Sequence, residues 1–497
     1  MGNVEKVYLA IDLGASGGRV LAGLFDGSRL TLEEMHRFEN GPVRADGRMY
    51  WDLLGLWQQI QNGLRAAGDK FGDRIVSVGV DTWGVDYGLL GPGDELLGNP
   101  YCYRDPRTND MMEKAFGAVS REEIFAETGL QFMQFNTLYQ LLAMKEQSPA
   151  LLDSAHSFLM IPDLFHWLLT GEKANEFTNA STTQFHNPVT NQWSEALFDR
   201  FGLPKQILGE VLAPGSRLGN LRQDVAGATG LKNVAVVLPG THDTASAVMS
   251  VPAAGEVQEH PNWCYISSGT WSLMGAETPA PVINEKCSDL NFTNEGGVGG
   301  TTRLLKNIAG LWLLQECRRI WCQDGHDMSW EGMVDRAESA KPLVSLINPD
   351  ASDFIAPQKM PMAIRKFCDD SGQPVPGSEG DVIRCGLESL ALRYRMVLNW
   401  TEDLTSGKID TVHIVGGGTQ NRLLCQMTAD ACNRQVVAGP IEATAIGNVM
   451  MQVLSSGEVR SVQEAREAIR NSFSVEEYAP KNPQPWDEAF ERFSQLV

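Results

Sequence analysis

Residues 10–20 read AIDLGASGGRV, a glycine-rich turn between the β-rich runs KVYLAIDLG and RVLAGLF, with an aspartate, Asp12, just ahead of it. Amide groups in such a turn attract phosphate oxygens, whereas a carboxylate repels them. A cation must stand between the two. Gly14, Gly17 and Gly18 join two strands as a hairpin, not a strand to a helix, and this excludes a dinucleotide fingerprint, which needs G-x-G-x-x-G leading into a helix. A Walker A loop is excluded as well, because the nearest stretch, GLRAAGDK at 63–70, has Asp69 where the lysine belongs. What is left is a phosphate hairpin in which Mg²⁺ bridges Asp12 and the phosphates. The turn supplies amides and Ser16, and Arg19 reaches an outer phosphate as a forked donor. The plain alternative is a tight turn with no ligand.

The rest of the chain bounds this reading. Its 497 residues exceed one ordinary core and predict two or more packed units. Hydrophobic residues are 43% and charged residues 21%, a globular composition. With 41 Lys and Arg against 62 Asp and Glu, the net charge is −21, which argues against nucleic acid and anionic membrane as partners. An anionic ligand therefore needs a local site. The nine cysteines have no CxxC or Cys/His spacing suited to zinc and read as buried reduced thiols. The start, MGNVEKVYLAIDLG, has neither a basic region with a long apolar run nor a Ser or Thr at Lys6 to support lipidation of Gly2. The expectation is a cytoplasmic protein, monomeric or a small homo-oligomer.

Strands and helices alternate, so the class is α/β. WDLLGLWQQIQNGLRAA puts Leu53, Leu56, Trp57, Ile60 and Leu64 on one helical face. VAVVLPGTHDTASAVMSV reads as strand, turn and a helix from about Thr244, and NWCYISSGTWSLMGAE repeats the shape of the first hairpin. Two related units follow, the second starting near Ser250. RLLKNIAGLWLLQECRRIW reads as helical, the Pro-, Gly- and Asp-rich stretch at 349–381 as a surface excursion, and PWDEAFERFSQLV as a packing helix presenting Trp486, Phe490 and Phe493.

Several side chains have two readings. Asp243 is either a helix N-cap or a base for an attacking hydroxyl, charged at neutral pH with an ordinary acidity of about 3.9. Gly416, Gly417 and Gly418 make a tight strand-to-helix turn or let a flat ring approach the backbone. Trp83 is core or a stacking face for a sugar; Arg104 and Arg107 pair with Asp105 at the surface or bind hydroxyls. Asn307, taken as lying in an apolar helix, is a functional candidate because burying its amide without a partner is costly.

Taken together, AIDLGASGGRV, VDTWGVDYGLL, YRDPRTN, FNTLYQL, HDTASAV, SSGTWSLMG, TNEGG, LKNIAGLWLLQ and HIVGGGTQN resemble the FGGY carbohydrate kinases, in order from about Ala10 to Asn448. DTWGVD, FNTLYQL and LKNIAGLWLLQ point to the branch that acts on rhamnulose. The resemblance implies an α/β fold of two ribonuclease H-like domains, of the actin and hexokinase ATPase type, flanking a catalytic cleft. Residues 1–249 would mainly bind sugar and residues 250–497 mainly ATP. It implies that Ala15, Ser16, Gly17, Gly18 and Arg19 line the ATP phosphates and that Thr270, Gln315 and Gly417 also contact nucleotide. Gly84, His242, Asp243, Thr244 and Asn307 would lie by the ketose, Asp243 as the base, and Asp12 would organise Mg²⁺. The expected reaction is ATP-dependent phosphorylation of L-rhamnulose at C1. L-Fuculose or L-xylulose is the alternative acceptor, and a nucleotide-gated sugar sensor the alternative class.

Overall fold

The computed structural model describes residues 5–326, 328–355 and 357–497; Gly2 lies outside them. The chain forms two compact units. Unit 1 comprises Met1–Val257, Glu277–Leu304 and Ala443–Phe473, and unit 2 comprises Gln258–Ala276, Leu305–Glu442 and Ser474–Val497. These units interleave along the chain. The reason lies in the core of unit 1, which is finished by helices encoded near the C-terminus.

Unit 1 is built on strands β1 (Lys6–Gly14), β2 (Gly17–Phe25), β3 (Leu30–Glu39), β4 (Ile75–Thr82), β5 (Arg217–Asn220) and β6 (Ala235–Val237), in the order β3-β2-β1-β4-β6-β5. β1 is antiparallel to β2 and parallel to β4. Side chains alternate across a strand, and both faces of β1 are apolar because both are covered. Val7, Leu9, Ile11 and Leu13 join one buried cluster, which also holds Leu53, Leu56, Ile60 and Leu64 of α1 (Leu53–Phe71) and residues of α2 (Ile161–Thr170). Asp52 caps α1 by accepting from Gly55 N at 3.1 Å.

The opposite face carries Tyr8 and Ala10, packed with Met249 of α3 (Asp243–Met249), Ile446 and Val449 of α4 (Ala443–Ser455) and Ile469 of α5 (Val462–Ser472). α4 also lays a buried polar row along this face. Asn448 Nδ2 donates to Asp81 Oδ2 at 2.6 Å, Gln452 Nε2 donates to Leu9 O at 2.9 Å, and Ser77 Oγ donates to Gln452 Oε1 at 2.7 Å. Gly447 is required where α4 meets α3: a Cβ there would overlap the backbone carbonyl of Ser246.

Unit 2 contains β7 (Trp263–Ser268), β8 (Trp271–Thr278), β9 (Thr302–Ala309), β10 (Thr411–Val415), β11 (Gln435–Ala438) and β12 (Glu476–Tyr478), in the order β9-β8-β7-β10-β11-β12. Again the first strand is antiparallel to the second and parallel to the fourth, and an antiparallel strand ends the sheet. The strand at Thr293–Gly296 adds to the β9 edge of this sheet, and the two sheets share the run in which the first strand lies between the second and the fourth, as expected of two related ribonuclease H-like units.

Two expectations fail here. RLLKNIAGLWLLQECRRIW is not one helix but β9 followed by a helix at Trp312–Gln323. Gly310 marks the break, since a Cβ there would press on the backbone of Trp271 and Ser272. The 349–381 stretch is more ordered than a surface excursion: it contains a helix, Met360–Asp370, burying Met360, Ile364 and Cys368. Pro361 sits in the first turn, where a missing N–H costs nothing. The C-terminal helix, Gln484–Phe493, does form and buries Trp486, Ala489 and Phe493. Eight cysteines are buried and Cys322 is exposed. Among the described residues no helix is long and apolar enough to cross a membrane.

Candidate active site

The β1–β2 register pairs Asp12 with Arg19 and Gly14 with Gly17, leaving Ala15 and Ser16 as the turn. Asn40 Nδ2 braces it by donating to Gly14 O at 2.7 Å. Gly18 must lack a side chain, because a Cβ would overlap the ring of Phe38. Arg19 Nη2 donates to Asp12 Oδ2 at 2.6 Å, so the cation beside Asp12 is this guanidinium.

Asp81 pairs with Asp12 across β4 and β1, which in a parallel ladder puts both side chains on one face. Asp81 is fully buried, and its Oδ1 has no hydrogen-bond partner. Burial pushes its carboxyl well above the usual range, Asp12 and Asp243 add to the rise, and the Asn448 hydrogen bond opposes it. These groups are hard oxygen donors, as Mg²⁺ prefers. Among the described residues no three His, Cys, Asp or Glu side chains form a cage of their own.

Asp243 reaches the same end of the sheet because Thr82, the last residue of β4, donates its N–H to Thr241 O at 2.9 Å and bridges to His242. Glu176, fully buried, braces this segment by accepting from Thr241 N at 3.0 Å and from Thr241 Oγ1 at 2.6 Å. Asp243 is the first residue of α3 and not its N-cap; His242 holds that position. The Asp243 carboxylate is thereby released from capping and accepts from Thr244 Oγ1 at 3.0 Å. Its acidity is not ordinary, because burial raises it and the neighbouring His242 opposes the rise. The side chain keeps 35% of its exposure, so it stays within reach of a ligand. His242 lies with Nε2 3.5 Å from Asp243 Oδ1 and Nδ1 3.2 Å from Glu295 Oε2.

Gly84 opens a strained turn. Val85 has φ +67°, a genuine outlier for a β-branched residue, and Asp86 N donates back to Gly84 O at 2.9 Å. Thr182 Oγ1 accepts from Val85 N at 3.0 Å, and Thr137 Oγ1 donates to Val85 O at 2.7 Å. Asp86 is the hub beneath it: its carboxylate accepts from Trp51 Nε1 at 2.6 Å, Trp83 Nε1 at 3.0 Å, Tyr103 N at 3.1 Å and Gln140 Nε2 at 2.8 Å. Burial pushes Asp86 up to about 6 against these donors. Such overdetermined strain is characteristic of functional turns. Trp83 is core, with its ring centroid 4.2 Å from that of Trp51. Asp105 and Arg107 are buried rather than at the surface: Asp105 accepts from Arg107 N at 2.8 Å and faces Arg48 at 3.6 Å, while the Arg107 guanidinium donates to Gln140 Oε1 at 2.8 Å.

Within unit 2, Thr270, Gln315 and Gly417 collect around the end of β7. Trp312 N donates to Thr270 O at 3.1 Å, and Gln315 lies on the first turn of that helix. A Cβ at Gly418 would overlap Ser268, whereas one at Gly417 would meet nothing within 4 Å, so close packing falls on Gly418 and not on Gly417. Asn307 is half-buried on β9, a strand and not the helix assumed for it.

Asp81, Asp86, Glu295 and Arg303 escaped the sequence reading as site residues. For the first two the signal was present, as charges interrupting the apolar run at 75–90. Glu295 lies in TNEGG, and Arg303 had no local signal.

The fold has solved counterparts among phosphotransferases. Gluconate kinase from Lactobacillus acidophilus superposes with a TM-score of 0.83 at 15% identity, covering 99% of this chain and 98% of that one. Glycerol kinase of Plasmodium falciparum, solved with ADP, gives 0.78 at 15% identity, covering 99% and 98%. The descriptions "FGGY family of carbohydrate kinases, N-terminal domain" and "C-terminal domain" match residues 7–250 and 264–456. Curated relatives include the rhamnulokinase of Bacteroides thetaiotaomicron, 44% identical over 494 residues, covering 99% of this chain and all of the relative. The rhamnulokinase of Bacillus subtilis is 38% identical over 476 residues, covering 96% of each. The chain belongs to the FGGY family of carbohydrate kinases.

Proposed function

We propose that this chain transfers the γ-phosphoryl group of ATP to the C1 hydroxyl of L-rhamnulose in the cytoplasm, with Asp243 as general base. The near-complete alignment with relatives named rhamnulokinase supports this acceptor. The observation that carries the chemistry is the Asp243 carboxylate, which begins a helix without capping it and is flanked by His242 and Thr244.

In this reading Asp243 accepts the hydroxyl proton as the oxygen attacks phosphorus in line. Gly84, His242, Thr244 and Asn307 are proposed contacts for the sugar. Ala15, Ser16, Gly17, Gly18 and Arg19 are proposed for the phosphates, and Thr270, Gln315 and Gly417 for the nucleotide. Asp12 would hold Mg²⁺, which when bound neutralises charge developing on the phosphoryl oxygens. Water must be kept from the reacting phosphorus, or the group would be lost to hydrolysis.

The test is ADP release by the purified protein with Mg²⁺-ATP and a panel of ketoses at limiting concentration. The expected result is the highest kcat/KM with L-rhamnulose. Preference for L-fuculose or L-xylulose would reassign the acceptor, and ATP binding without ketose-dependent ADP release would favour a sensor.

A further inference from the structure

The TNEGG stretch at 293–297 contributes Glu295, only 5% exposed, and beside it lies the fully buried guanidinium of Arg303. Arg303 Nη2 is 3.1 Å from Glu295 Oε2 and 3.1 Å from His242 Nδ1. Its Nε donates to Gly296 O at 2.8 Å, tying the guanidinium to the strand that carries Glu295. Burial pushes the Glu295 carboxyl up, but Arg303 and His242 outweigh it and hold the group below the usual range. Glu295 is therefore an anion, and Arg303 has only donors to offer.

These neighbours limit where the His242 ring can carry hydrogen. A neutral ring protonated at Nδ1 would set that N–H against a guanidinium N–H. It would also turn a bare Nε2 lone pair toward the Asp243 carboxylate, 3.5 Å away. A ring protonated at Nε2 avoids both clashes, with Nδ1 accepting from Arg303. The imidazolium avoids the second clash and keeps the first, with Glu295 Oε2 3.2 Å from Nδ1 as its counter-charge. In both of these states Nε2 carries a hydrogen on the side of Asp243, and the ring protonated at Nε2 alone is the one free of both clashes. Thr244 Oγ1 donates to the same oxygen, Oδ1. Oδ1 thus accepts from Thr244 and faces the His242 Nε2 edge at 3.5 Å, which leaves Oδ2 for a ligand.

From this geometry we infer that Glu295 and Arg303 are positioning residues: they set the hydrogen on His242 Nε2 and, through it, aim Asp243 Oδ2 at the acceptor hydroxyl. The inference rests on Asp243 being the base. As the hydroxyl oxygen bonds to phosphorus, its proton passes to Oδ2 and the bond to the ADP oxygen breaks.

The experiment compares the full-length wild type with Glu295→Gln, Glu295→Asp and the double variant Glu295→Gln/Asp243→Asn. Melting temperatures serve as the folding control. Glu295→Gln is expected to lower kcat roughly tenfold or more, part of the ~10²–10⁴ that general-base catalysis supplies, with KM for ATP little changed. Glu295→Asp should recover part of the loss. In the Asp243→Asn background the Glu295 change should cost nothing further, because the group it aims is gone. Nitrogen NMR of the His242 ring in the wild type should show Nε2 protonated. A folded Glu295→Gln with normal kcat, losses that simply add, or a ring protonated only at Nδ1 would overturn this inference alone. Absence of ketose-dependent ADP release by the wild type would overturn the kinase reading, and this inference with it.

Discussion

Asp81 stands opposite Asp12 across the parallel pair β4–β1, and Arg19 closes on Asp12, so that Asp81 shares its hydrogen bond with Asn448 alone. A carboxyl raised by burial and by Asp12 and Asp243 favours folding at pH below the ordinary carboxylate range, and this contribution is lost as pH rises through its elevated value. Asp81→Asn removes the titration and keeps an acceptor for Asn448. The melting temperature of the variant minus that of the wild type should therefore increase from acid to alkaline pH. A difference that stays flat would show that Asp81 does not titrate in this way.

Asp243→Asn preserves size and the Thr244 contact but cannot take up a proton. Turnover should fall by ~10²–10⁴, while calorimetric binding of sugar and of ATP stays near the wild-type values. Near-normal turnover would remove Asp243 from the mechanism.

Burial raises Asp243 and His242 restrains the rise. Only the ionised carboxylate accepts a proton, so kcat/KM should fall on the acid side at a pH above the usual carboxylate range. His242→Asn removes the restraint and should move that acid limb higher still. A limb that stays in place, measured over a full pH series, would separate His242 from the acidity of the base.

Gly447→Ala puts a methyl group into the carbonyl of Ser246, where α4 crosses α3. Overpacking of this kind costs about 1–3 kcal/mol. Because Asp243 begins α3, the lower melting temperature should be accompanied by a lower kcat. Unchanged kcat in a destabilised variant would show that the crossing holds the fold without setting the base.

Local order was the legible part of this molecule. The glycines of AIDLGASGGRV specify a hairpin about Ala15 and Ser16, and the symmetry of that hairpin sets Asp12 against Arg19. The cross-strand ion pair was implicit there, yet the pull of phosphate on arginine concealed it. Asp243 was found because a carboxylate at a helix start has few uses. Its altered acidity was not visible, since burial is a property of the packed unit. Asn307 went to the wrong element because the spacing of Leu304, Leu305 and Ile308 suits a helix as well as a covered strand. Glu295 and Arg303 acquire meaning only through His242, some fifty to sixty positions earlier in the chain.

Helix α4 has a consequence for synthesis. Tyr8, Ala10, Leu21 and Phe25 emerge from the ribosome more than 400 residues before Ile446, Val449 and Met450, which cover them. A nascent chain that has passed Asp243 still displays a bare apolar sheet face, and a fragment truncated near residue 250 would keep it. That surface is hidden only after residues 443–455 have been made and folded back onto it.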